Sequence, residues 1–214
     1  MAILDWYFDF ISPFAYLQLA QLNRHREAGP NFPRICYRPV LLAGLLGHFG
    51  QKGPAEIPEK RRQTYRYCQW YAGRHGIPMR FPPAHPFNPL ALLRLALAAD
   101  CSDAAIQVLF DLVFLHGQDP NDPGILAEAG QQIGIADVSA AIQDPAIKTR
   151  LKDCTDQAIQ RGVFGVPMLG LPDGEIFWGL DSTEMALDGL ADPGLFQRDP
   201  YDRLAALPQA ASRI

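Results

Sequence analysis

The chain has no Cys-x-x-Cys: its four cysteines, Cys36, Cys68, Cys101 and Cys154, are widely and irregularly spaced. Neither a redox dithiol nor a zinc knuckle is therefore expected. Cys36 alternates with apolar neighbours in a strand pattern, and the other three sit in or beside helical stretches, where buried free thiols are common. The five histidines lack HExxH-type spacing, so no metal site is expected. Positive charge is also short: 19 Lys and Arg against 23 Asp and Glu leave a net charge of −4, which speaks against a nucleic-acid partner. The longest apolar run, around Pro89–Ala99, is broken by Arg94, so no membrane span is expected. The N-terminus lacks the basic start, apolar stretch and small-residue cleavage site of a signal peptide, which makes the cytoplasm the expected location.

What is present is a globular composition. With 214 residues, 48% of them apolar and 20% charged, the chain suits one large domain, or one domain with a substantial insertion. Its organising stretch is DWYFDFISPFAY, Asp5–Tyr16, where an apolar run ends in Ser-Pro and a helical pattern starts at once. Ile3–Ile11 reads as a buried strand interrupted by Asp5 and Asp9; Asp9 is expected to face water, or else to serve as a capping partner. Ser12 fits a helix N-cap and Pro13 the first helical position, where a missing N–H costs nothing. A strand feeding a helix in this way gathers free amides and the positive end of the helix dipole at one spot, which suits an anion.

The helix from Pro13 carries Phe14, Leu17 and Leu22 on one side and closes with Arg24, His25 and Arg26 before Gly29. RICYRPVLL, Arg34–Leu42, is the next strand, pushed by Pro39 toward an edge or toward its own end; the two strands should pair in parallel as a βαβ unit. Gly44, Gly47, Gly50 and Gly53 mark a loop around a short helical turn, and no GK[ST] follows to make it a phosphate loop. From Pro58 to Gln160 the pattern is helical almost throughout. Its first helix mixes Lys60, Arg61, Arg62 and Arg66 with Tyr65, Tyr67, Trp70 and Tyr71. A solvated basic face explains that mixture better than a nucleic-acid surface, although one or two of the cations could hold a ligand's carboxylates. Asn88 in HPFN is a candidate N-cap for the helix that follows. Pro167–Leu171 and Glu175–Trp178, joined by Pro172-Asp173-Gly174, form a hairpin. Asp181 or Ser182 can cap a last helix, Thr183–Leu190, and the tail from Ala191 should lie over the surface.

These elements come in the order of an α/β thioredoxin-like fold with a large all-helical insertion, the DsbA-like elaboration. Residues 1–57 and 161–192 would form the thioredoxin-like part, 58–160 the insertion and 193–214 a C-terminal tail. In that order a residue opening the first helix carries the chemistry and a distant cis proline packs beside it; Pro167, after Val166, is the candidate.

YFDFISPFAYL, GVFGVPM and FWGLD, in that order, resemble the 2-hydroxychromene-2-carboxylate isomerases, which belong with the kappa-class glutathione transferases. The resemblance runs from about Ile3 to Leu190. It implies a glutathione cofactor whose thiolate rests against Ser12, with Pro13, Phe14, the backbone of Val166 before Pro167, Leu180 and Asp181 around it, and Asp181 facing the γ-glutamyl ammonium. Gln51, in GQKGPA, stands where that family has Asn in a GNxPPA-like stretch, which puts its contact in question. Asn88 would face the acceptor, a small aromatic-fused 2-hydroxy acid, and a homodimer is implied. The reaction implied is isomerisation by thiolate addition, ring opening, rotation and elimination to a trans-o-hydroxybenzylidenepyruvate-type product. A serine at the helix start fits this, because its hydroxyl is too weakly acidic for thiol–disulfide exchange but can donate a hydrogen bond to a thiolate. A kappa-like glutathione transferase and a non-catalytic glutathione-binding protein remain the alternatives, while a disulfide oxidoreductase fits least.

Overall fold

The structure, a computed structural model, describes residues 2–29, 31–208 and 210–211. Ile3–Phe8 forms β1, the strand against which the rest is laid. Its side chains alternate: Leu4, Trp6 and Phe8 enter the larger core, while Asp5 and Tyr7 point to the opposite face. β2 (Arg34–Pro39) pairs with β1 in parallel, β3 (Met168–Gly170) pairs with it antiparallel, and β4 (Ile176–Trp178) pairs antiparallel with β3, giving the order β2-β1-β3-β4. β2 is an edge strand, as Pro39 suggests.

Both N-terminal strands stop sooner than their apolar patterns. β1 ends at Phe8 rather than Ile11, because Ile11 N–H turns back to the Asp9 carboxylate (3.1 Å) and Ser12 N–H to the Asp9 carbonyl (3.0 Å). β2 ends at Pro39 rather than Leu42, because Leu41 N–H is taken by the Thr155 hydroxyl and Leu42 N–H by Asp9. Asp9 therefore does not face water; it is fully buried.

α1 (Pro13–Ala28) follows the turn, with Gly29 N–H closing on the His25 carbonyl. α2 (Leu42–His48) is the short helix of the glycine-marked loop. The helical block comprises α3 (Pro58–Arg74), α4 (Leu90–Ala98), α5 (Asp103–Phe114), α6 (Pro123–Gln132), α7 (Val138–Gln143) and α8 (Pro145–Gln160). α7 is not foreseen from the sequence; at six residues it is too short to show a 3.6-residue period, and Asp137 starts it by accepting from Ala140 N–H. Pro89, not Asn88, occupies the N-cap of α4; Asn88 accepts from Leu90 N–H across one residue. α9 (Thr183–Ala191) has no side-chain cap from Asp181 or Ser182, since the Ser182 hydroxyl donates to the Gly179 carbonyl. The segment after α9 is more than a surface tail: Phe196 packs on Phe177, with ring centroids 5.2 Å apart. Among the described residues no helix is long and apolar enough to cross a membrane.

The larger core lies between one face of the sheet and α1, α4 and α5. Trp6 stacks on Phe8 there (4.7 Å), and Phe10 reaches Phe110 (4.6 Å). Within it sits a buried amide, Gln18 of α1, with every polar group satisfied. Its Oε1 accepts from Trp6 Nε1–H (2.7 Å), and its Nε2 donates to the Gly179 carbonyl (2.9 Å) and to Thr183 Oγ1 (3.1 Å). One turn on, Gln21 bonds both the Thr183 and Tyr71 hydroxyls. α1 is thereby clasped to β1, to the turn after β4 and to α3.

Replacing Gln18 with Leu orphans the Trp6 N–H inside the core, while the Gly179 carbonyl keeps its bond from the Ser182 hydroxyl. At about 1–3 kcal/mol for such a group, Gln18→Leu should lower the unfolding free energy by about 1–3 kcal/mol. Urea denaturation checks this, and an unchanged midpoint would remove the clasp from the account.

Candidate active site at one edge of the sheet

Strand register assembles the site. Tyr7 pairs with Met168, Met168 with Trp178, and Phe8 with Pro39. The exit of β1 into Ser12, the entry to β3 through Val166-Pro167 and the exit of β4 into Gly179-Leu180-Asp181 therefore lie at one edge. The exit of β2 toward α2 shares it.

Ser12 is extended (φ −90°, ψ 112°) and 6% exposed, and its Oγ accepts from Ala15 N–H at 3.2 Å. The hydroxyl hydrogen is left for another acceptor. Pro13 has no N–H, and the amides of Ala15 and Tyr16 bond the Ser12 carbonyl. Among the described residues the Phe14 N–H donates to nothing, so one free amide of the first turn stands next to the serine hydroxyl. The Val166–Pro167 bond is cis. Pro167 carbonyl accepts from Gly179 N–H at 3.0 Å, while the N–H and C=O of Val166 have no partner among the described residues. Donors and an acceptor thus face outward on two sides of one edge.

Asp181 is exposed and forms no ion pair among the described residues, on a turn that the Gln18 clasp holds against α1. The Leu180 side chain is buried, and its carbonyl accepts from the Thr183 hydroxyl. Tyr67 of α3, in the sequence only one aromatic of a mixed helix face, lies 5.9 Å ring to ring from Phe14. Burial and then the negative charge of Asp181 raise its phenol above the ordinary range. Gln51 is exposed in the loop after α2, with its N–H on the Leu46 carbonyl. Asn88 is exposed just before α4. Neither joins the Ser12 edge through a hydrogen bond. A cleft of about 530 Å³ along α8, lined in part by Arg150 and Cys154, and one of about 520 Å³ lined in part by Arg26 and Cys101 include none of these residues. The Ser12 edge, with Ser12 itself only 6% exposed, lies outside both clefts.

Behind it lies Asp9. One carboxylate oxygen accepts from Ile11 N–H (3.1 Å) and the other from Leu42 N–H (2.9 Å), the first amide of α2. Both bonds favour the charged form, but burial outweighs them and pushes the carboxyl from 3.8 up to about 7.

Comparison with known proteins agrees with this fold. The description DSBA-like thioredoxin domain matches residues 3–191. A 2-hydroxychromene-2-carboxylate isomerase of Sphingobium xenophagum is 31% identical over 196 residues, covering 88% of this chain and 98% of that protein. Glutathione S-transferase kappa 2 of Caenorhabditis elegans is 26% identical over 210 residues, covering 89% and 92%. A solved 2-hydroxychromene-2-carboxylate isomerase structure superposes with a TM-score of 0.73 at 28% identity, over 88% of this chain and 94% of that one.

The raised carboxyl fixes the sign of a pH effect. Between about pH 4 and pH 7 the folded chain keeps a proton on Asp9 that the unfolded chain has lost, so stability from this group is present at low pH and is lost as pH rises toward 7. Relative to Asp9→Asn, the wild type should lose stability across that window, on the order of 3–4 kcal/mol, and change little above it. Urea unfolding of both proteins from pH 4.5 to 8 measures the difference, and parallel profiles would refute it.

Proposed function

The chain belongs to the DSBA-like thioredoxin domain family, and from that premise we propose that it is a glutathione-dependent isomerase of 2-hydroxychromene-2-carboxylate-type compounds. The observation that carries the reading is a serine, rather than a cysteine, at the start of α1, with its hydroxyl hydrogen and the Phe14 N–H both free beside it. Relatives named as isomerases of this class support the substrate, and the kappa-class relatives support the cofactor.

The residues suit a tripeptide thiol. An extended peptide needs an N–H and a C=O to pair with, and Val166 offers both. An α-ammonium needs a carboxylate, and Asp181 is unpaired; Leu180 would contribute through the backbone of the same turn. When bound, glutathione would supply a thiolate for reversible addition to the unsaturated acceptor and leave unchanged. The protein's part is to hold that anion. Ser12 Oγ–H and Phe14 N–H point hydrogen bonds at it, Pro13 sets the helix start, and the α1 dipole lowers the cost of its charge. Pro167 keeps the Val166 backbone turned to the ligand. Gln51 and Asn88 would reach the ligand and the acceptor from the flanking loops.

The test is Ser12→Ala followed at saturating glutathione. Loss of a preorganised donor should lower kcat roughly a hundredfold, whereas an unchanged rate takes Ser12 out of the chemistry. Total thiol is counted in the same assay. A constant count supports the isomerase, stoichiometric loss makes the protein a transferase, and binding without turnover across an acceptor panel makes it a binding module.

A further inference from the structure

Where β1 ends, the backbone of Ile11 leaves the sheet, and side chains take over both of its polar groups. The Asp9 carboxylate accepts from Ile11 N–H at 3.1 Å, and His85 Nε2 lies 2.6 Å from the Ile11 carbonyl. A carbonyl can only accept, so Nε2 carries the proton. Burial holds the His85 imidazole below its ordinary range, which keeps the ring neutral and leaves Nδ1 as an acceptor. The Tyr65 hydroxyl stands 2.6 Å from Nδ1, and 2.9 Å from the His85 carbonyl. The ring is wedged by Tyr65, Phe87, Phe81 and Phe114, with centroids 5.2–6.3 Å away. α3 and the segment before α4 thus reach, through one imidazole, the peptide bond that joins Ile11 to Ser12.

We propose that His85, held in its Nε2–H tautomer by the Ile11 carbonyl and oriented by the Tyr65 hydroxyl, is a positioning residue for Ser12. It replaces the hydrogen bond that the Ile11 carbonyl loses when the strand stops, and so fixes the angle at which the chain enters α1. The functional consequence rests on the reading of Ser12 as the seat of the glutathione thiolate. Without the donor, the Ile11 carbonyl is an unpaired acceptor at a turn, and the turn rotates to find another. Ser12 Oγ moves with it. The helical insertion then contributes to the reaction by setting the geometry of a residue outside it.

Three variants separate donor from packing. His85→Phe fills the ring space without a donor, His85→Gln keeps an N–H near the Nε2 position, and Tyr65→Phe removes the hydroxyl that orients the ring through Nδ1 and the His85 carbonyl. With misplacement of a reacting group as the guide, His85→Phe should lower kcat by about tenfold to a hundredfold, and His85→Gln should recover most of that loss. Tyr65→Phe should fall between them. A His85→Phe rate equal to wild type, or equal losses in Phe and Gln, would overturn the proposal. Nitrogen-15 shifts of the wild-type ring need no variant: a protonated Nε2 with an unprotonated Nδ1 supports it, and the reverse tautomer refutes it. The Ser12 amide shift should move in His85→Phe and stay in His85→Gln. Should the wild type fail to bind glutathione in calorimetry, the functional reading falls, and the ring and amide shifts still judge the positioning role by themselves.

Discussion

Antiparallel pairing of β3 with both β1 and β4 is the constraint on which the site depends. Residues about 160 positions apart in sequence can share a ledge only if β3 runs backward, so that Val166 enters where Ser12 leaves and Asp181 follows the end of β4. Slipping β3 by one residue would turn Met168 and Leu169 to opposite faces and empty both cores at once. Packing of apolar side chains on two faces therefore fixes the placing of polar groups at the edge. The Gln18 clasp completes this: strand pairing brings the Asp181 turn to the right end, and the amide ties it to α1.

Much of this was legible from residue order. Ser12-Pro13 marked a helix start, Asp173-Gly174 a hairpin, Pro39 an edge strand, and Val166-Pro167 a cis bond that the structure contains. What escaped had physical reasons. Phe10 and Ile11 prolong the apolar run of β1 although neither is in the strand, because Phe10 is buried against Phe110 and periodicity reports burial, not hydrogen bonding. Asp9 looked solvated because an isolated carboxylate usually is; its two amide partners belong to a turn and to a helix 33 residues away. Gln18 and His85 bond to groups far along the chain, and no local pattern announces them.

The serine also separates what the fold does from what a thiol does. In this fold the helix start stabilises an anion through free amides and a dipole, and neither depends on which residue occupies the N-cap. A cysteine there would carry the sulfur itself. With serine the same stabilisation is kept, and on the proposed reading the sulfur arrives on a ligand whose backbone can pair with Val166. The site and the nucleophile would then be separate molecules, and a chain without a redox dithiol could keep the architecture of disulfide chemistry.

On that reading two negative groups stand close together, Asp9 behind the turn and a thiolate in front of it. Their hydrogen bonds are divided between two helices: Asp9 draws on Leu42 N–H at the start of α2, while the ledge in front draws on Ser12 and Phe14 at the start of α1. Neither competes for the other's donors. Their charges still interact across a poorly solvated turn, so ionising one makes ionising the other costlier, and the two titrate as a coupled pair. Burial already moves Asp9 to about pH 7, where it sheds its charge easily. A carboxyl that can give up its charge near neutrality opposes a neighbouring anion far less than one fixed at the ordinary value of 3.8 would. On that reading its burial eases the seating of a thiolate at Ser12, and the turn that buries it is the same turn that presents the serine.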